Sequence, residues 1–174
     1  MAITYELISS QEISSSVSTV TFDNIPQTYT DLVFWISARS SVTSAFYGGG
    51  SYRINDATSA YGNRRAITDG TMSAGGDLNQ VANTWGFIST AQTTANMFSP
   101  VWLFLPNYRS SLKKTTASEW ANLNPAGSQF LLGTIANESD VTAAITKVQF
   151  LDPYGGYLNT LQYSTFRLYG ILKA

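Results

Sequence analysis

Apolar and polar residues alternate along most of the chain, in short segments that are separated by clusters of Gly, Pro, Asn and Asp. Alternation with a period of two is typical of β-strands that bury one face. It predicts about eleven strands. Their expected bounds are 3–8, 17–22, 30–38, 51–55, 64–72, 84–89, 97–105, 115–122, 129–136, 143–151 and 165–172.

Helical periodicity is weak everywhere, and the best helix candidates, 78–82 and 137–144, would form one or two turns at most. The glycine clusters at 48–50 and 75–76 are predicted to be turns. Short strands without intervening helices favour an all-β fold, an antiparallel β-sandwich that is jelly-roll-like, with about 8–11 strands. No shift in composition marks a boundary, so we predict a single domain over 1–174 with a short extended N-terminal segment.

Two of the predicted strands, 32–36 and 101–105, would present apolar side chains on both faces. A strand of a two-layer sandwich needs only one apolar face. The second face is therefore expected to lie either under a loop or small helix of the same chain, or against another subunit. The side chains expected on it are Val33, Trp35, Trp102 and Phe104.

Charge and composition exclude several classes of function. Lys and Arg total 10 against 11 for Asp and Glu, and they are scattered, so no basic stripe is available to bind nucleic acid. His and Cys are both absent, which removes Ser-His-Asp and Cys-His catalysis and the usual zinc ligands, and we expect no cofactor and no metal. No apolar run is long enough to span a membrane, and the N-terminus lacks a secretion signal. We therefore expect a soluble protein made in a cytoplasm.

The remaining catalytic candidates are weak. Ser110 with Lys113, and Ser111 with Lys114, have the S-x-x-K spacing of some serine nucleophiles, but they follow a Pro-Asn turn instead of lying on a helix. Paired carboxylates of the glycosidase type would have to come from a set of four dispersed acids. These acids are Glu119, Glu138, Asp140 and Asp152. We predict that the chain is not an enzyme.

Exposed aromatic side chains beside Asn and Arg can stack on sugar rings. Tyr47, Tyr52 and Tyr61, with Arg53 and Asn55 nearby, have this chemistry. The sequence thus leaves open an alternative function, a receptor-binding or carbohydrate-binding module of a phage tail or fibre. The competing interpretation of these tyrosines is that they lie at the rim of the core or in a subunit contact.

One segment, Val20 to Val33 with its continuation Ser37-Ala38-Arg39-Ser40, resembles small virion proteins of tailed bacteriophages. The shared opening pattern is S-x-V-x-F-x-x-I-P-x-x-Y-x-D-L, and four later elements follow in the same order. They are Arg53-Ile54-Asn55, Arg64-Arg65, Leu105-Pro106-Asn107-Tyr108 and Tyr169-Gly170-Ile171. The resemblance therefore covers nearly the whole chain.

The resemblance implies a jelly-roll-like structural protein of the virion. Because the chain lacks fibre repeats and coiled-coil heptads, we expect a capsid decoration, or cement, protein on the capsid exterior. Its expected partners are its own copies, as a homotrimer suited to threefold lattice positions, and the major capsid protein. The residues expected to make these contacts are Ile3, Tyr5, Val33, Trp35, Trp102 and Phe104.

Overall fold

The computed structural model describes residues 3–45, 47–59, 61–68, 72–124, 129–151 and 159–173. Within these residues the chain forms strands and no helix. In chain order the strands are β1 (Ile3–Glu12), β2 (Thr19–Phe22), β3 (Asp31–Ser40), β4 (Tyr47–Ile54), β5 (Tyr61–Thr68), β6 (Met72–Gln80), β7 (Asn83–Thr90), β8 (Ser99–Leu105), β9 (Lys114–Asn124), β10 (Gln129–Ser139), β11 (Val148–Leu151) and β12 (Thr165–Lys173).

The strands form two layers. The large sheet has the order β1-β12-β3-β8-β9-β10-β5-β6, and the small sheet has the order β2-β11-β4-β7. Pairing is antiparallel throughout, apart from a short parallel contact in which Arg39 and Ser40 of β3 pair with Ser89 and Thr90 of β7 and join the two sheets. The all-β sandwich predicted from the period-two pattern is confirmed.

Aromatic side chains from both sheets meet in the core. Phe34 of β3 packs against Phe150 of β11 with ring centroids 5.0 Å apart, and against Phe22 of β2 at 5.2 Å. Trp85 of β7 and Phe166 of β12 complete the cluster around Phe150. Several of these rings meet edge to face, which is the favourable geometry for aromatic pairs. The inner face of the large sheet is thereby fixed against the small sheet.

Several local predictions were wrong because pairing between strands outweighs local propensity. The helix candidate at 78–82 begins inside β6, and the one at 137–144 begins inside β10 and continues without helix. The glycines at 48–50 and 75–76 are not turns but lie within β4 and β6. Gly50 is required by packing, because a Cβ there would overlap the ring of Trp85.

The residues behind the resemblance to phage proteins contact one another. The Asp31 carboxylate accepts a hydrogen bond from the Asn107 amide at 2.8 Å, and the Tyr108 hydroxyl donates to the Pro26 carbonyl. These bonds connect the loop before β3 to the turn after β8. Asn55 has the same kind of role, since its side-chain oxygen accepts from the Lys147 amide at 3.1 Å. The motif residues hold loops in place.

Candidate interaction surface

The large sheet has a second face, which we call the outer face, turned away from the small sheet. Among the residues that the structure describes, no strand or loop packs over its centre. Eight large apolar side chains are exposed in the described part of the chain, and five of them lie on this face. They are Tyr5, Leu7, Trp35, Phe130 and Leu132. A folded domain with this many exposed apolar side chains on one surface is expected to use that surface for binding.

Alternation along β3 places the side chains of this face. Leu32, Phe34 and Ile36 point into the core and are buried, while Val33 and Trp35 point outward. Val33 is nevertheless fully buried, because its cross-strand neighbours are large rings on either side. Trp35 remains 48% exposed. Of the two explanations left open by the sequence, coverage by the described part of the chain does not apply to Trp35.

Aromatic rings form a continuous layer on the outer face. Trp35 lies 5.0 Å from Tyr169 of β12 and 6.3 Å from Tyr5 of β1, measured between ring centroids. Trp102 and Phe104 of β8 stack at 5.5 Å with an interplanar angle of 15°. Their mutual packing holds these side chains in place before any partner binds, which reduces the entropy cost of binding.

An open groove of about 690 Å³ runs across the outer face from β3 to β5. Its lining is mostly apolar. The side chains that project into it from this face include Trp35, Pro100, Trp102, Ala121, Leu132 and Ala66. Glu119 is the charged residue of the lining, and it is exposed. The groove has the size of a ligand or peptide site but few polar groups to orient a polar ligand.

A row of four side chains crosses this face at one level. Register pairs Arg167 of β12 with Trp35, Trp35 with Trp102, and Trp102 with Glu119 of β9. Paired residues of antiparallel strands project to the same side, so the row reads cation, Trp, Trp, anion. Arg167 and Glu119 are three strand spacings apart, roughly 14 Å, with two indoles between them. Neither makes an ion pair with a residue in the described ranges.

Most of the predicted contact residues lie on the outer face, and one has a side chain that the structure does not describe. Tyr5, Val33, Trp35, Trp102 and Phe104 all lie on the outer face, on three strands of the large sheet. Ile3 belongs to β1, but its side chain is outside the described part of the structure. Sequence reasoning missed other members of the face, among them Leu7, Phe130, Leu132, Arg167 and Tyr169. Only the pairing of β12 with β1 and β3 could have placed Arg167 and Tyr169 beside Trp35.

The predicted glycan site is wrong for two of its three tyrosines. Tyr52 and Tyr61 are 0% and 1% exposed, because their rings point into the sandwich and cannot stack on a sugar. The Tyr52 hydroxyl is hydrogen-bonded to Thr116 and accepts from the Asn83 amide at 3.1 Å. Burial raises the pKa of both phenols above the usual value. The side chain of Tyr47 is outside the described part.

The carboxylates do not converge. Glu119 pairs with Thr134, and Glu138 pairs with Thr115, in the same β9–β10 ladder. The two acids are thus four residues apart along the strands, or roughly 13 Å, whereas glycosidase pairs hold their carboxyl groups about 5–9.5 Å apart. Asp140 forms an ion pair with Lys113. Asp152 lies outside the described residues.

The side chains of Ser110 and Lys114 lie close together, although these residues belong to different S-x-x-K pairs. Among the described contacts, neither Ser110 with Lys113 nor Ser111 with Lys114 forms a pair. Lys114 Nζ lies 3.4 Å from Ser110 Oγ, but it donates at 2.6 Å to the Ser110 carbonyl and at 2.7 Å to the Leu112 carbonyl. Burial lowers the pKa of Lys114. The carbonyl contacts favour its ammonium form, which is unable to accept a proton from the serine. The arrangement anchors a loop.

Neither a metal centre nor a membrane-spanning helix emerges from the part of the chain that is described. No group of three or more acidic, His or Cys side chains is close enough there to hold a metal ion. The same residues contain no helix of the length and apolarity needed to cross a bilayer.

Comparison with known proteins gives little further information. No protein family matches the chain, and no curated protein does. A crystal structure of scytalido-glutamic peptidase with a transition state analog inhibitor is similar over 90% of this chain and 75% of that chain. The sequence identity is 12% and the TM-score is 0.28, so this similarity supports no conclusion about activity.

Proposed function

We propose that this chain is a non-enzymatic structural protein of a tailed-phage particle, a capsid decoration protein that joins other subunits through its outer face. The observation that supports this role most strongly is the half-exposed Trp35 within an apolar groove and a layer of aromatic rings. Trp and Tyr are enriched where protein interfaces gain most of their binding energy. The resemblance of the chain to small phage virion proteins supplies the biological setting.

The mechanism follows from mass action. A protein that binds the assembled shell, and not its separate subunits, shifts the equilibrium away from disassembly. Made in the bacterial cytoplasm, it would bind the major capsid protein on the exterior of the virion. Copies linked to one another would turn several modest shell contacts into strong attachment, because binding of one copy raises the effective concentration of the next at the shell.

Receptor or glycan binding is the weaker alternative. Its basis in the sequence was a group of tyrosines that included Tyr52 and Tyr61, and both are buried. The groove on the outer face is aromatic, but Glu119, Thr68 and Thr134 are the main polar side chains in it. A sugar site normally offers more hydrogen-bond partners than this.

Binding to shells that lack the protein tests the proposal. We expect wild-type protein to co-sediment with such shells and to slow their thermal disruption. Trp35→Ser should weaken shell binding at least tenfold, because it removes the exposed centre of the aromatic layer. The same loss of binding is expected whether Trp35 contacts the shell directly or contacts another copy of the chain.

Leu112→Ser is the matched control. Leu112 is 72% exposed but lies in the loop between β8 and β9, away from the outer face. Its substitution should leave shell binding unchanged. Wild-type protein that neither co-sediments with shells nor protects them from heat would contradict the proposed function.

A further inference from the structure

The outer face has a charge pattern that is complementary to itself. Its central row reads Arg167, Trp35, Trp102, Glu119, with opposite charges at the two ends. Both charged side chains are exposed. The two indoles between them keep the charges too far apart to pair within one molecule.

We propose that the partner on the outer face is a second copy of this chain, packed face to face around a two-fold axis that runs parallel to the strands between β3 and β8. This pairing rests on the proposed role of the outer face and names its occupant. The rotation reverses the row. It sets Arg167 of one copy against Glu119 of the other, and Trp35 against Trp102, twice in each dimer.

Only a two-fold axis parallel to the strands places opposite charges of the two copies against each other. A two-fold axis in the same plane but across the strands would place Arg167 over Arg167 and Glu119 over Glu119. The arrangement along the strands also agrees with the usual aligned packing of two sheets, whose strand directions differ by about 30°. The apolar groove of each copy would then receive the aromatic side chains of the other.

The size of the face suits such a dimer. Six strands, from β1 to β10, overlap under this rotation, which gives a width of roughly 24 Å at the usual strand spacing. Six residues along each strand give a length of roughly 20 Å, and so a flat area of about 500 Å² before side-chain relief is counted. A standard interface buries about 800 Å² of accessible surface per partner. A stable but reversible dimer is expected.

Charge exchange between two variants is the decisive experiment. In sedimentation velocity, wild-type protein should run at twice the chain mass at micromolar concentrations. Arg167→Glu and Glu119→Arg should each raise the dissociation constant about tenfold or more, because each variant alone faces two like-charged pairs. An equimolar mixture of the two variants should recover a dimer, since every facing pair in the mixed dimer is again of opposite charge.

The controls separate pairing from misfolding. Both charged side chains are exposed, so recovery in the mixture itself shows that each variant is folded. Trp35→Ser should abolish the dimer in every combination, whereas Leu112→Ser should not. High salt should weaken the wild-type dimer only modestly, because apolar contacts provide most of its stability.

Three results would overturn the pairing. They are a wild-type protein that stays monomeric up to hundreds of micromolar, a wild-type trimer, and a variant mixture that fails to recover the dimer. Shell binding distinguishes this failure from failure of the proposed function. A monomer or trimer that still binds shells through Trp35 would refute the two-fold pair and leave the decoration role standing.

Discussion

Lys114 shows how a single buried charge can organise a loop. Its side chain is almost fully buried, and its ammonium donates to the carbonyls of Ser110 and Leu112. We predict that Lys114→Met lowers the free energy of unfolding by about 2 kcal/mol, because the buried carbonyl oxygens lose their donor. Urea unfolding measures the change. The matched variant Lys113→Met removes an exposed ammonium and should change little, so equal effects of the two would contradict this role.

The sequence could not distinguish these two lysines, because adjacent residues of one loop differ only in where the fold directs them. The same limit explains the error over Tyr52 and Tyr61. The sequence shows that they carry aromatic rings, but burial depends on which face of a strand is covered. Trp35 illustrates the opposite case, because apolar residues on both faces of β3 already indicated that its second face is covered by the same chain or by another subunit.

At the scale of elements, a packed aromatic side chain requires glycine on the neighbouring strand. A Cβ at Gly133 of β10 would overlap the indole of Trp120 on β9 and approach the Ala66 carbonyl to 3.0 Å. We predict that Gly133→Ala costs about 1–3 kcal/mol, because the indole has to move within a close-packed core. The midpoint of urea unfolding, at constant slope, reports this loss.

Gly75→Ala is the comparison for that substitution. Gly75 also lies in a strand, but a Cβ there would meet nothing nearer than Arg65 Nε at 3.8 Å. The urea midpoint of this variant should stay the same or rise slightly, since alanine reduces the conformational entropy of the unfolded chain. A loss as large as that of Gly133→Ala would show that glycine is needed in these strands for a reason other than Trp120.

Most strands could be predicted from alternation alone, and the strands with branched and aromatic residues were placed within a few residues. The β6 strand was missed and β4 was shortened, because both contain glycines that usually signal turns. No local pattern reports that Gly50 of β4 faces Trp85 on another strand. Strand order was also beyond the sequence, and it is strand order that assembles the row from Arg167 to Glu119.

At the scale of the whole molecule, the buried phenols predict how stability depends on pH. Burial raises the pKa of Tyr52 and of Tyr61 above that of the unfolded chain, near 10. Their contribution to stability is therefore complete below about pH 10 and is lost as the pH rises further, because the unfolded chain ionises first. We expect alkaline unfolding in which the phenolate absorbance of these two buried tyrosines appears together with the loss of β-sheet circular dichroism.

Tyr52→Phe provides the check on this prediction. It should lower stability at neutral pH by about 1 kcal/mol, through loss of the bonds to Thr116 and Asn83. It should also make the loss of stability above pH 10 less steep, because one fewer group ionises on unfolding. An unchanged steepness above pH 10 would contradict the assignment.

The position of β12 determines when the large sheet can be completed during synthesis. This strand lies between β1 and β3 and pairs with both, although the ribosome makes it more than 120 residues after β3 ends. Until β12 emerges, β1 lacks the strand with which it pairs, and the aromatic layer around Trp35 lacks Tyr169. Nascent chains therefore complete this surface only after β12 has left the ribosome, which delays association through it until then.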